Sequence, residues 1–413
     1  MSPDKLPPRT AMVVFLVFAF AYFLSTLIRA ITATLAPVLT QEFSLNARDL
    51  GLLAGAYFLG FSMTQLPMGH WLDRFGPKRV IVCFLMFAVL GCAAFSMATS
   101  FAGLLAARFV CGVGVSACLM APLTGYRRWF AAGTQMRANS WMLMTGSLGM
   151  VASTLPVQWL IPVVGWRGLF ACLALLVLSC IALIARLVPK WGEVVMTDAP
   201  EHESKPGYAE VWRHPYFRKM APIGFFCYGG QIAMQTLWVV PWMVKVTGCS
   251  SQQAASGLFG LNVAMLCTFG LWGFSSPWLA RRGLHADRLI ALFLPWSFAF
   301  LAIVIIAGPA LSTGAAAIFT LYCVSCTVVS LAQPAVSMAF APALAGRALS
   351  AYNLLIFAGV FVVQWGIGLA VDGFMAIGLT EIQAFQGAMS GFLVCSGASY
   401  AYFLSAKSHN QHS

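Results

Sequence analysis

Long apolar runs, each separated from the next by a short polar segment, make up most of the chain. The runs are about 20 residues long or longer, the length that an α-helix needs to cross the hydrocarbon core of a bilayer. Backbone groups in hydrocarbon must be hydrogen-bonded within the segment, which favours helices over barrel strands for runs of this length. We therefore predict twelve membrane helices, numbered 1 to 12, at residues 11–37, 50–72, 79–97, 103–124, 138–161, 169–187, 220–244, 257–279, 288–307, 314–339, 350–371 and 385–405.

The composition agrees with this pattern, because 60% of the residues are hydrophobic and only 9% are charged, whereas about a quarter are charged in soluble domains. We predict an all-α integral membrane protein that has the lipid bilayer as its surroundings. The net charge of +12 is then interpreted as membrane topology, not as nucleic-acid binding. The sequence contains neither His-Glu-x-x-His nor Gly-x-Ser-x-Gly, so we expect no enzyme and no cofactor.

Lysine and arginine are concentrated in alternate loops. Only Arg48, Arg167 and Lys245 fall in loops on the opposite side from the others. By the positive-inside rule this asymmetry predicts that both termini are cytoplasmic. The longest polar segment divides the helices six and six, so we predict an N-terminal bundle at residues 1–188, a cytoplasmic linker at 189–216 and a C-terminal bundle at 217–413.

The two halves resemble each other in sequence. Arg137-Ala138 with Gly149 recurs as Arg347-Ala348 with Gly359, and residues 71–76 recur as residues 278–283. Four positions of helix 1 match four positions of helix 7 at spacings of three, seven and ten: Tyr22, Ser25, Arg29 and Thr32 in helix 1, and Tyr228, Gln231, Gln235 and Trp238 in helix 7. Transporters are often built from such repeats, with the substrate site between them.

Positions with these spacings lie along one face of a helix, and a polar stripe in lipid must face protein or a water-filled cavity. The candidate solute-binding residues are therefore Tyr22, Arg29, Tyr228, Gln231, Gln235 and Trp238, with Gln333 from a shorter stripe in helix 10. For the glutamines, hydrogen bonding between helices is the alternative. Arg29 either binds an anionic or carbonyl group of a solute or snorkels to the outer edge of the membrane.

The densest cluster of charge in the first hundred residues is the segment 69–79, which reads Gly-x-x-x-Asp-Arg-x-Gly-x-Lys-Arg. This pattern resembles the signature loop of the major facilitator superfamily. The resemblance implies two six-helix bundles that rock around a central site lined by helices 1, 4, 7 and 10. It also implies gating or coupling roles for Gly69, Asp73, Arg74 and Gly76, and for Arg108, which begins an Arg-x-x-x-Gly-x-Gly pattern in helix 4. For Arg108 the alternative is a structural role, in which it pairs with backbone carbonyls of a neighbouring helix. We expect a monomeric, multi-pass protein of the cell inner membrane.

Within that superfamily, several stretches resemble the bacterial branch of the copper importers for cytochrome oxidase assembly and the riboflavin importers. These are residues 57–59, 65–69, 125–130, 155–158, 237–248 and 346–348, with Asn353 and residues 364–365. Asn353 joins the candidate binding residues on this basis. The copper importers carry Met-x-x-x-Met in helix 7 and His-x-x-x-Met in helix 8, and only Met234 and Met265 remain here, so we expect no metal site.

The function expected from these observations is import of a small organic solute, with a riboflavin-like heteroaromatic favoured because helix 7 offers amides together with indole rings. A copper importer of the same branch is the alternative, and a drug or metabolite exporter is the next.

Overall fold

The computed structural model describes residues 6–130, 132–189, 207–282 and 284–406, and every regular element in these ranges is helical. Helix 1 is a single segment, Pro8–Phe43. Helices 2, 4 and 5 are each interrupted by a short break, whereas the end of helix 2 runs on into helix 3 and the end of helix 5 into helix 6. The resulting helical segments are Ala47–Met63, Gln65–Met97, Phe101–Val115, Ala117–Trp129, Ala132–Ala152 and Leu155–Leu187.

Two glycines reverse the chain direction inside these segments. Gly76 divides Gln65–Met97 into the end of helix 2 and the whole of helix 3, and Gly165 divides Leu155–Leu187 into the end of helix 5 and the whole of helix 6. Their φ angles are 74° and 67°, a conformation that glycine adopts without the strain a Cβ would cause. The predicted polar turn around Gly76 is thus one non-helical residue, followed by Pro77 at the start of helix 3, where its missing N–H is not needed.

Helix 7 is irregular, because π-helical turns at Ile223–Tyr228 and Met234–Trp238 alternate with α-helical pieces. The α-helical pieces are Pro215–Pro222, Gly229–Ala233 and Val239–Lys245. A 3₁₀ segment at Gly308–Gly314 connects helix 9 to helix 10. Helix 10 contains a 3₁₀ turn at Thr327–Leu331, with α-helix at Ala315–Cys326 and Ala332–Met338. The remaining elements are a short helix at Tyr208–Arg213, helix 8 at Ser251–Arg281, helix 9 at Ala286–Ala307, helix 11 at Pro342–Ala376 and helix 12 at Glu381–Ser405.

Each of the twelve predicted membrane segments is helical over most of its length, so the prediction of an all-α membrane fold is confirmed. Eight helical stretches of the described chain are long and apolar enough to cross a membrane. Three of these, Gln65–Met97, Leu155–Leu187 and Ala286–Met338, each hold parts of two predicted helices. Much of the predicted linker, residues 190–206, lies outside the described ranges, as do residues 1–5 and 407–413.

The two ends of the molecule are named here by their residues. The inner end holds Gly76 and Pro215, and the outer end holds Phe43, Asn46 and Asp372. The distribution of lysine and arginine predicts that the inner end faces the cytoplasm.

Glycines at matched positions of the two halves bring helices together in a corresponding way. A Cβ built on Gly149 in helix 5 would lie 2.4 Å from the carbonyl oxygen of Phe23 in helix 1. A Cβ built on Gly359 in helix 11 would lie 2.2 Å from the carbonyl oxygen of Phe225 in helix 7. Small residues at such crossings let helix backbones touch, so the two glycines bring the corresponding pairs of helices, 1 with 5 and 7 with 11, into close contact.

Gly112 of the helix 4 pattern makes the closest of these approaches, since its Cβ would lie 1.9 Å from the carbonyl oxygen of Tyr57. We expect Gly112→Ala to destabilise the protein by about 1–3 kcal/mol, because the methyl group would force helices 2 and 4 apart. The measurement is the Tm of the purified protein in detergent. Gly260→Ala in helix 8 is the control, because its Cβ would meet nothing within 4 Å. Equal Tm values for the two variants would contradict the expected overpacking.

Candidate substrate site

Arg29 lies between the two halves of the molecule. Its guanidinium carbon is 5.3 Å from the ring centroid of Phe61 in helix 2 and 5.6 Å from that of Phe357 in helix 11. The two phenylalanine rings are themselves 4.4 Å apart. A cation beside aromatic faces is attracted by their quadrupoles, and this contact holds the Arg29 side chain in the interior rather than at the outer end.

Three tyrosines complete the surroundings of Arg29. Tyr22, Tyr57 and Tyr228 each interact electrostatically with its guanidinium. The hydroxyl of Tyr57 donates to the backbone carbonyl of Ser25 at 3.4 Å. The structure thus brings together three of the residues selected from the sequence, namely Tyr22, Arg29 and Tyr228.

The charge of Arg29 has no partner of opposite sign among the described residues. Its Nε is buried without a hydrogen-bond partner there. Ion pairs at helix ends join Arg48 to Asp49, Arg167 to Glu42, Lys219 to Asp287 and Lys245 to Glu381, and none of these involves Arg29. The Arg29 side chain is partly buried, and a charge withdrawn from water without a counter-ion is unfavourable, so this position suits an anion that is supplied from outside the chain.

The polar residues of helix 7 face different neighbours, because its π turns change their angular spacing. The amide of Gln235 donates to Asn262 Oδ1 of helix 8 at 2.6 Å. The amide of Gln231 lies 3.9 Å from the sulfur of Met265, and its Oε1 has no partner among the described residues. Gln235 thus makes the interhelical hydrogen bond that the sequence left as its alternative use.

Trp238 is fully buried at the outer part of helix 7. Its ring packs edge-on against Phe385 of helix 12, with 6.1 Å between centroids. It also lines a cavity of 410 Å³ at the outer end, which is formed by helices 1, 2, 7, 11 and 12. The charged residues that line this cavity are Lys245, Asp372 and Glu381.

Gln333 and Asn353 bind each other through a hydrogen bond of 2.6 Å from Gln333 Nε2 to Asn353 Oδ1. Asn353 stands one helical turn before Phe357, so both lie on the same face of helix 11. The pair therefore lies on the inner side of the Arg29 surroundings and joins helix 10 to helix 11.

The two methionines considered for copper do not form a site. Met234 is fully buried, and the sulfur of Met265 lies against the Gln231 amide. The described part of the chain contains no group of three or more His, Cys, Asp and Glu residues that could hold a metal ion. This arrangement lends no support to copper binding.

Of the predicted gating residues, Gly69, Asp73 and Arg74 are exposed at the inner end. Asp73 has no hydrogen bond or ion pair within the described ranges, and Arg74 lies 5.4 Å from the ring of Phe75. No neighbour lies within 4 Å of a Cβ built on Gly69. Gly76 forms the turn described above.

Arg108 is fully buried next to the same tyrosine that flanks Arg29. Its Nη1 donates to the backbone carbonyl of Ile28 at 2.9 Å, and its guanidinium carbon is 4.9 Å from the ring centroid of Tyr57. Two guanidinium groups therefore flank one phenol, and Arg108 ties helix 4 to the backbone next to Arg29.

Sequence reasoning missed four residues of this region: Tyr57, Phe61, Asn262 and Phe357. Three of them are aromatic, a type that is common throughout a membrane helix, so their spacing carried no signal. Asn262 could have been found as a polar residue in the middle of an apolar helix.

The sequence profile of the Major Facilitator Superfamily matches residues 18–364. SauU of Cupriavidus necator, named as a probable sulfoacetate transporter, is 25% identical over 256 residues, which cover 58% of each chain. The 4-hydroxybenzoate transporter PcaK of Acinetobacter baylyi is 25% identical over 297 residues, which cover 63% of each chain. The match therefore spans less than two thirds of the length of either relative.

A solved structure shares the fold over nearly the whole chain. The crystal structure of a bacterial homolog of the human lysosomal transporter Spinster, in an inward-facing and unoccupied conformation, matches with a TM-score of 0.76 at 19% identity, covering 97% of this chain and 98% of that one. Neither SauU nor PcaK is named for copper or riboflavin, so the resemblance to that branch gains no support from them.

Proposed function

The chain belongs to the Major Facilitator Superfamily, and on this premise we propose that it transports a small organic acid across the membrane, with Arg29 binding the acidic group. The observation that carries the proposal is the guanidinium of Arg29, held between the two halves without a counter-ion in the described chain. A carboxylate or sulfonate would supply the missing charge and accept the parallel hydrogen bonds that a guanidinium offers.

The rings around Arg29 favour a solute with a planar or compact apolar part. Phe61 and Phe357 flank the guanidinium, and Tyr22, Tyr57 and Tyr228 add hydroxyl groups that can orient a second polar group. Ligand sites of this kind combine apolar walls with a few convergent polar groups. The named substrates of the two relatives, sulfoacetate and 4-hydroxybenzoate, are both small anions, which supports this substrate class.

Transport by alternating access accounts for the position of Arg29 at the contact of helices 1, 2 and 11. In this proposal the bundles at residues 1–188 and 217–413 rock around the bound anion, and Asp73 and Arg74 act at the inner end. The proposal retains the predicted topology, with a monomer in the inner membrane, both termini in the cytoplasm, and import as the direction.

The test is uptake into proteoliposomes that contain the purified protein. Radiolabelled sulfoacetate, 4-hydroxybenzoate, a sugar acid, riboflavin and copper are offered separately, with protein-free liposomes as the control. We expect saturable uptake of at least one organic acid. Saturable uptake of riboflavin or copper alone would overturn the proposal.

A planar heteroaromatic solute such as a flavin is the second candidate, and the observation in its favour is the indole N–H of Trp238. This N–H is buried without a partner among the described residues, and the residue lines the outer cavity, where a ring could stack and accept the hydrogen bond.

Trp238→Phe separates the two candidates. For an organic acid bound at Arg29 we expect KM to change by less than about threefold, because a ring of similar shape remains in place. Trp242→Phe is the matched control, since Trp242 is also fully buried, packs against Phe385 and has an unpartnered N–H in the described chain. Loss of riboflavin uptake in the Trp238 variant but not in the Trp242 variant would favour the flavin as the solute.

A further inference from the structure

Helices 2 and 11 come from different halves, and their backbones touch at the outer end. A Cβ built on Gly51 of helix 2 would lie 2.4 Å from the carbonyl oxygen of Gln364 in helix 11. A Cβ built on Gly368 of helix 11 would lie 2.3 Å from the carbonyl oxygen of Ala47 in helix 2. Farther inward, the rings of Phe61 and Phe357 pack between the same two helices.

Asp372 of helix 11 binds the first turn of helix 2 across this contact. Its Oδ1 accepts the backbone N–H of Ala47 at 3.2 Å, and its Oδ2 accepts the backbone N–H of Arg48 at 2.9 Å. The next N–H, that of Asp49, goes to the side chain of Asn46 at 2.8 Å. Helix 2 therefore has an ordinary cap from its own half and a second, charged cap from the other half.

Opening of the outer end must break this contact between Asp372 and the first turn of helix 2. The first N–H groups of a helix have no partner within the helix, and a carboxylate there gains from both the hydrogen bonds and the helix dipole. Separation of helices 2 and 11 would return the Ala47 and Arg48 N–H groups to water and remove this gain.

A second contact joins the halves on the opposite side of helices 1 and 7. Helix 5 is broken at Ser153 and Thr154, and the carbonyl oxygen of Met150 next to the break lies 3.5 Å from Asn262 Nδ2 of helix 8. Asn262 is held in turn by Gln235. This contact uses neutral groups, so among the described residues at the outer end the charged contact between the halves is the one through Asp372.

We infer that Asp372 holds the outer gate of the transporter closed by capping helix 2 from the opposite half. The inference rests on the proposed transport function, because a gate serves a transporter, but the geometry of the Asp372 cap is independent of the solute. Asp372 is thus a positioning residue for the transport cycle.

The experiment measures access from the outer side to a cysteine placed below the gate. Thr32 lies on helix 1 one turn inward of Ala36, which lines the outer cavity, and it is buried. Thr32→Cys is labelled with a membrane-impermeant trimethylammonium methanethiosulfonate, applied separately to intact cells and to inverted vesicles. The protein without Thr32→Cys reports the background from its native cysteines, and peptide mass spectrometry identifies the labelled position.

Asp372→Asn should raise the labelling rate of Cys at position 32 from the outer side by about tenfold, the factor that corresponds to about 1.4 kcal/mol. Glu381→Gln is the matched control. Glu381 lines the same cavity, but its partner Lys245, at 3.1 Å, belongs to the same half, so its neutralisation should leave the rate unchanged.

If Asp372→Asn fails to fold, Gly368→Ala replaces it, because its Cβ would push helix 2 away without altering charge, and it too should raise the rate. A native labelling rate in the folded Asp372 variant, or an equal rise in the Glu381 variant, would overturn the inference. The readout requires no solute, so a failure of organic-acid uptake and a failure of this gate are distinguishable.

Discussion

Arg29→Ala is expected to abolish uptake of the organic acid, and Arg29→Lys is expected to lower kcat/KM by about a hundredfold. A charge-assisted pair that is lost from a desolvated site costs about 2–5 kcal/mol, and about 2.8 kcal/mol is a factor of one hundred. Lysine keeps the charge but loses the planar fork of donors and the stacking on aromatic faces. Phe61 and Phe357 stand at 5.3 and 5.6 Å from the guanidinium carbon, so this loss applies directly to Arg29.

The measurement is initial uptake into proteoliposomes over a range of solute concentrations, with protein amount and Tm checked for each variant. Arg48→Ala is the control, because Arg48 is an exposed arginine at the outer end whose guanidinium pairs with Asp49. Full activity of Arg29→Lys would show that Arg29 acts as a general positive charge or as a packing residue, and it would remove the binding role.

The extent to which the sequence predicted this site differs between helix 1 and helix 7. Tyr22 and Arg29 lie on a regular helix, so the spacing of polar residues indicated correctly that they share a face. In helix 7 the π turns at Ile223–Tyr228 and Met234–Trp238 shift the stripe. Tyr228 interacts with Arg29, whereas Trp238, ten residues farther along helix 7, lines the outer cavity. A π turn depends on how neighbouring helices pack, and no local residue preference announces it.

The membrane helices were predictable because length and hydropathy are set by the bilayer, and the repeat was visible because small residues recur where helices cross. The pairs Gln235 with Asn262 and Gln333 with Asn353 were not predictable. The first pair joins residues 27 positions apart in the chain and the second joins residues 20 positions apart. Tertiary packing decides whether such residues come within hydrogen-bonding distance. The cap from Asp372 to helix 2 bridges more than 300 positions, so the sequence indicated only that Asp372 lies near a helix end.

The two ends of the molecule differ in the contacts made by their acidic residues. At the outer end, Asp372 binds the opposite half through two backbone N–H groups. At the inner end, Asp73 is exposed and makes no hydrogen bond or ion pair with described residues. If Asp73 is a latch, its partner is reached only when the inner end closes, so the structure corresponds to the half of the cycle in which this latch is released.

Asp73→Asn is therefore expected to lower the maximal uptake rate about tenfold while leaving KM and Tm close to those of the unmodified protein. The variant loses no contact of the structure described here, so folding should not change, whereas the state with a closed inner end loses a charge-assisted interaction of about 1.4 kcal/mol, which is a factor of ten in population. Glu210→Gln is the control, because Glu210 is an exposed acid of the short helix before helix 7 and lies outside the motif.

Labelling of Thr32→Cys from the outer side should fall in Asp73→Asn, opposite to its rise in Asp372→Asn. The double variant should label at a rate between those of the two single variants. A labelling rate in Asp73→Asn equal to that of Glu210→Gln, together with normal uptake, would mean that the charged turn at Gly76 only orients the chain in the membrane.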